Sequence, residues 1–85
     1  MKLLKFYADW CAPCKAQNTI LEGLKDVEIE HINIEDDDKQ DLVSKYRVMS
    51  LPTMVIVNNE GDELKRMIGL TTLENIIKNI EEVKQ

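Results

Sequence analysis

The chain has 85 residues, 44% of them hydrophobic, enough for one small core and too few for a second, so a single domain over residues 1–85 is expected. With 11 Lys and Arg against 16 Asp and Glu the net charge is -5 and the pI is about 4.8. That balance argues against nucleic-acid or anionic-membrane partners and mainly favours solubility.

Met1-Lys2-Leu3-Leu4-Lys5-Phe6-Tyr7-Ala8 opens like a secretory leader, but Lys5 and Asp9 fall where the apolar run of a leader continues, and no membrane-length run follows. The segment is therefore expected to be the first strand, Lys2 to Ala8, of a cytoplasmic protein. Its Leu, Phe and Tyr do not alternate strictly with polar residues, which suits burial on both faces. From Pro13 the pattern turns helical, with Cys14, Leu21 and Leu24 on one face and Lys25-Asp26 closing the segment. Glu28 to Ile34 is a second strand, so the first three elements form a parallel βαβ unit with a right-handed crossover.

The run Glu35-Asp36-Asp37-Asp38 supplies helix caps, and Asp37 with Gln40 resembles a capping box for a short helix through Leu42, Val43 and Tyr46. A calcium loop is disfavoured, because the spaced oxygen ligands, Gly turn and closing Glu are missing. After Leu51-Pro52, Thr53 to Val57 forms a third strand, Asn58 to Asp62 a turn and Glu63 to Ile68 a fourth. From Thr71 or Thr72 an amphipathic helix places Leu73, Ile76, Ile77, Ile80 and Val83 on a stripe against the sheet. The order β-α-β-α-β-β-α predicts an α/β fold with a four-stranded mixed sheet flanked by three helices.

The only two cysteines, Cys11 and Cys14, lie three positions apart where strand gives way to helix. Three residues is most of one helical turn, so both sulfurs project from one face and can close a disulfide with little backbone movement. At the helix start, unpaired N–H groups and the positive end of the macrodipole favour a thiolate at Cys11. In a reducing cytosol such a pair is catalytic or metal-binding more often than a structural staple.

Together with their flanks these residues carry a resemblance. Phe6-Tyr7-Ala8-Asp9-Trp10-Cys11-Ala12-Pro13-Cys14-Lys15, then Asn33-Ile34-Glu35, then Tyr46-Arg47-Val48-Met49-Ser50-Leu51-Pro52-Thr53, with Gly61 and Gly69, are similar to the thioredoxin family from the first strand to the last helix. The resemblance implies a thioredoxin fold that begins at what is normally the second strand, without the N-terminal strand and helix of a full-length member. It also implies a protein-disulfide reductase in which an exposed Cys11 attacks and the deeper Cys14 resolves. Trp10 would be an apolar shelf, Ala12 and Pro13 would shape the loop between the cysteines, and a cis Leu51-Pro52 bond would face the disulfide and offer backbone to an extended substrate. No cofactor or metal is implied. The expected partners are disulfide-containing client proteins and a thioredoxin reductase-type flavoprotein, with the protein itself a monomer.

Rival functions are a glutaredoxin-like exchange with glutathione, an oxidase or isomerase direction set by redox poise, a metal or iron–sulfur site shared by two copies, and a non-catalytic docking module. Ala12 replaces the usual Gly, which stiffens the loop. The larger departure is Lys5, six residues before Cys11, where the family usually buries an Asp that helps deprotonate the resolving thiol. A lysine there can stay charged, become a neutral base, or extend its ammonium to the strand edge, and extension is the expected state. His31 in the neighbouring strand is placed to approach Lys5, and both are candidate modulators of thiol ionisation.

Overall fold

The computed structural model describes residues 1–84. In chain order the elements are β1 (Lys2–Tyr7), α1 (Ala12–Leu21), β2 (Glu28–Asn33), a 3-10 turn (Asp37–Lys39) leading into α2 (Gln40–Lys45), β3 (Thr53–Val57), β4 (Glu63–Ile68) and α3 (Leu73–Lys84). The strands form one sheet in the order β2-β1-β3-β4. β1 pairs with β2 in parallel and with β3 antiparallel, and β3 and β4 form an antiparallel hairpin. This is the mixed four-stranded sheet with three helices that the sequence predicts. Among the described residues no helix is long and apolar enough to cross a membrane.

The absence of strict alternation in β1 has the expected cause. Leu3, Leu4, Lys5 and Phe6 are all buried, as is every residue of β3, because helices cover both faces of the sheet. On one face Leu3, Met54, Ile56 and Met67 meet Leu21 of α1 and Ile76 and Ile80 of α3. On the other, Leu4, Phe6, Ile32, Val55 and Val57 meet Tyr46, with Leu42 and Val43 of α2 packed alongside. The Phe6 and Tyr46 rings stand 6.1 Å apart and tilted by 56°, an arrangement that suits the quadrupoles of two aromatic rings.

Three local expectations are corrected. Helix α1 stops at Leu21 instead of Lys25-Asp26, and the chain leaves through tight turns in which Gly23 N–H donates to Ile20 O at 3.1 Å and Leu24 N–H to Leu21 O at 3.0 Å. A Cβ at Gly23 would lie 2.8 Å from Leu73 Cδ2 of α3, so the end of that leucine side chain would have to shift to admit one. The Asp37–Gln40 capping box does not form. Asp36 holds the N-cap position without a side-chain bond, and Gln40 Nε2 donates to the carbonyls of Ile34 at 2.7 Å and Asp36 at 2.8 Å, closing the turn after β2. Finally, Ile77 is 40% exposed while Ile76 is fully buried, because consecutive helical residues point about 100° apart and only one can face the sheet.

Helix α3 starts on Thr72, whose Oγ1 accepts Asn75 N–H at 3.2 Å, as an N-cap should. At the end of α2 the Arg66 guanidinium of β4 donates to the carbonyls of Tyr46 and Arg47 and pairs with Glu63. This cation satisfies carbonyls that the helix leaves open and ties the loop after α2 to the sheet.

Adjacent isoleucines therefore carry unequal weight. Ile76→Ala is expected to cost about 2–5 kcal/mol of unfolding free energy, and Ile77→Ala well under about 1 kcal/mol. Urea titration of both variants checks the contrast, and equal midpoints would contradict the packing described.

Candidate active site at the carboxyl end of the sheet

The site begins where β1 runs out. Ala8 O accepts Cys11 N–H at 3.1 Å, a turn that swings the chain from the sheet into α1. Cys11 then occupies the N-cap with φ -89° and ψ 103°, and its Sγ accepts Cys14 N–H at 3.2 Å. A sulfur thus stands where Ser or Asp oxygen usually satisfies an open helix donor. Pro13 in the first turn lacks an N–H that would have found no partner there. Cys11 and Cys14 are joined as a disulfide with Cα atoms 5.3 Å apart, inside the range that a disulfide spans without moving backbone.

The helix start stabilises negative charge on Cys11 through the macrodipole and through the Cys14 N–H, a bond that strengthens when the sulfur is ionised. Cys11 is less open than expected. It is 5% exposed and Cys14 1%, because both pack with Ala8 under Tyr7, Ile34 and Leu51. Both cysteines are therefore buried residues in the disulfide form.

Around the sulfurs, Ala12 and Pro13 are exposed, and Trp10 is 67% exposed with its Nε1 donating to Glu35 Oε2 at 3.3 Å. Leu51-Pro52 is a cis peptide bond. Pro52 is buried and its carbonyl accepts Gly69 N–H at 2.8 Å. Gly69 has φ +84°, a conformation that L side chains rarely adopt. Among the described residues no hydrogen bond uses the backbone N–H or C=O of Leu51. Trp10, Pro13, Ile34, Val48, Met49 and Leu51 line a groove of about 320 Å³ that reaches Cys11.

Lys5 departs from expectation. Its side chain does not extend to the strand edge: the residue is 0% exposed, and Nζ donates to Cys14 O at 2.9 Å and to Asn18 Oδ1 at 2.5 Å. Two oxygens on the underside of α1 offer this ammonium what water would otherwise provide, so the side chain turns inward. Burial holds its pKa below the ordinary lysine value. Lys5 and His31 are register neighbours, as the sequence suggests. His31 is exposed and meets the Tyr7 ring edge-on at 6.4 Å. Partial desolvation, and then the charge of Lys5, hold its imidazole below the ordinary histidine pKa. These side chains share a cleft of about 450 Å³ with Asn18, Leu21, Glu22 and Ile29, behind α1 and apart from the Trp10 groove.

Sequence reading missed two residues of α1. Gln17 is fully buried and exchanges two hydrogen bonds with the backbone of Thr71, Nε2 to O at 3.0 Å and Oε1 from N–H at 2.9 Å. The signal was available: Gln17 lies on the buried stripe with Cys14 and Leu21, where an amide needs internal partners. Asn18 gave a weaker one, a polar residue one turn beyond Cys14. Among the described residues no three His, Cys, Asp or Glu side chains gather as a metal site.

Comparison with known proteins agrees with this geometry. The family model described as Thioredoxin matches residues 1–82. The thioredoxin of Chlamydia trachomatis is 35% identical over 81 residues, covering 92% of this chain and 78% of its own. That of Staphylococcus epidermidis is 30% identical over 84 residues, covering 95% and 80%. Among solved structures, a mutant thioredoxin from Halobacterium salinarum superposes with a TM-score of 0.83 at 29% identity, over 98% of this chain and 74% of that one. A model match across nearly the whole chain, with the cysteine pair at disulfide distance at the head of α1, settles the assignment: this chain belongs to the thioredoxin family of thiol–disulfide oxidoreductases.

Proposed function

We propose that the protein reduces disulfides in client proteins, with Cys11 as the attacking sulfur and Cys14 as the resolving one. The observation that carries this assignment is the N-cap placement of Cys11, whose sulfur already accepts a backbone N–H at the positive end of α1. In the reduced protein the Cys11 thiolate attacks one sulfur of a client disulfide. A mixed disulfide forms, and the displaced client thiolate takes a proton. Cys14, losing its own proton, then attacks Cys11 Sγ. The ring closes, the second client sulfur leaves, and two electrons have passed to the client. No metal or organic cofactor enters this cycle.

Specificity comes from the groove beside the sulfurs. Trp10 supplies an apolar wall, Ala12 and Pro13 a smooth approach, and the cis Leu51-Pro52 segment turns unpaired backbone toward an extended client, which can pair with it as an added strand does. We assign the electron supply to a thioredoxin reductase-type flavoprotein, and we place the protein in the cytoplasm as a monomer of one domain over residues 1–85.

The two sulfurs are separable by experiment. Cys14→Ser is expected to trap clients as a mixed disulfide on Cys11, visible as a mass shift that a reductant reverses, whereas Cys11→Ser gives no adduct and no turnover. Adducts on Cys14 of the Cys11→Ser variant, with none on Cys14→Ser, would reverse the assignment. For the groove, Trp10→Ala is expected to raise the KM for a protein disulfide by about tenfold, the usual cost of removing an aromatic anchor. An unchanged KM in steady-state kinetics would remove Trp10 from the docking surface.

A further inference from the structure

We propose that Lys5 is a positioning residue of the exchange: its buried ammonium, anchored on the Cys14 carbonyl, stabilises the thiolate that forms when the disulfide is reduced and so makes the pair more oxidising. The inference rests on the assignment of Cys11 and Cys14 given above. Lys5 is fully buried in β1, and its Nζ makes two hydrogen bonds, both to neutral oxygens of α1. None of the ion pairs among the described residues involves it. A buried cation without a counter-charge is unfavourable, and this one touches the residue whose sulfur gains electrons.

Covalent geometry limits the separation. With Nζ 2.9 Å from Cys14 O, the ammonium lies no more than about 8 Å from Cys14 Sγ by standard bond lengths, and at most about 2 Å further, one S–S bond, from Cys11 Sγ, where the thiolate forms. The groups facing Lys5 do not cancel its charge. Tyr7 presents its ring face with the centroid 5.2 Å from Nζ, His31 of β2 is neutral above its lowered pKa, Met54 is the neighbour in β3, and Asn18 is uncharged. Glu22, on the same cleft, is exposed to solvent.

On reduction the disulfide accepts two electrons and one proton and becomes one thiol and one thiolate. The thiolate is the anion that the lysine lacks, so charge is compensated in the reduced state alone. Coulomb attraction over that span, at the effective dielectric of a protein interior, biases the equilibrium on the order of tenfold. The cation therefore acts on the energy of the thiolate, in contrast to a carboxylate, which would accept its proton.

The test is equilibration with glutathione, in which two glutathione thiols reduce the disulfide and leave as glutathione disulfide. Two variants remove the field differently. Lys5→Met keeps length and apolar bulk, and Asn18→Asp, at an exposed position of α1, places a carboxylate on the ammonium without disturbing the core. Both are expected to shift the equilibrium about tenfold toward the disulfide, equivalent to a potential about 30 mV more negative. Both should also move Cys11 alkylation to higher pH, and Lys5→Met should raise the His31 midpoint seen by NMR. Unchanged potentials in Lys5→Met and Asn18→Asp would overturn the role of Lys5 while leaving the exchange itself intact. Failure of the unmodified protein to equilibrate with glutathione would instead strike at the underlying assignment of the cysteines.

Discussion

Everything at the site hangs on β1 being fixed from four sides. It hydrogen-bonds to β2 along one edge and β3 along the other, while α1 and α3 cover one face and α2 the other. A strand held in this way has no freedom of register, since a one-residue slip would send Leu4 and Phe6 into the space of Leu3 and Lys5. The turn from Ala8 to Cys11 therefore starts at a fixed point, and the head of α1 inherits that precision. The cis Leu51-Pro52 segment gains its place in the same way, since it enters β3, the other doubly buried strand. Two loops that meet at a reactive sulfur are thus each anchored to a central strand, and rigid elements hold such groups better than loops alone.

Sequence and structure agree most closely where one element decides its own shape. The bounds of β3 and β4 were legible because five consecutive apolar or β-branched residues, Thr53 to Val57, precede a turn rich in Asn, Gly and Asp. The cysteine pair and its helix were legible because spacing and Pro13 are local signals. The end of α1 was not, since backbone turn bonds from Gly23 to Ile20 and from Leu24 to Leu21 break the helix off ahead of Lys25-Asp26. Gln40 was misassigned for a related reason. Its amide found two carbonyls of the preceding turn, a competition that a capping pattern read in isolation does not register.

Lys5 is the most instructive mismatch. A lysine stem bends either way along a strand, and the choice is made by acceptors nine and thirteen positions away, the Cys14 carbonyl and Asn18. Its adjacency to His31, by contrast, followed from strand order alone. Contacts set by the parallel register could be anticipated, whereas the direction of a flexible side chain across to a helix could not. The position also shows how the fold accommodates a buried ammonium. One backbone carbonyl and one side-chain amide oxygen of α1 satisfy the ammonium, so the sulfurs lie above a hydrogen-bonded cation.

Gln17 carries a quieter consequence. Its amide joins α1 to the segment that leads from β4 into α3 by one donated and one accepted bond, and an amide has no proton to gain or lose across the physiological range. Neither pH nor the oxidation level of the neighbouring sulfurs changes the charge of that amide. The framework is insulated from the reaction it hosts: electrons and protons come and go at one end of α1 while a neutral clasp keeps the helix seated.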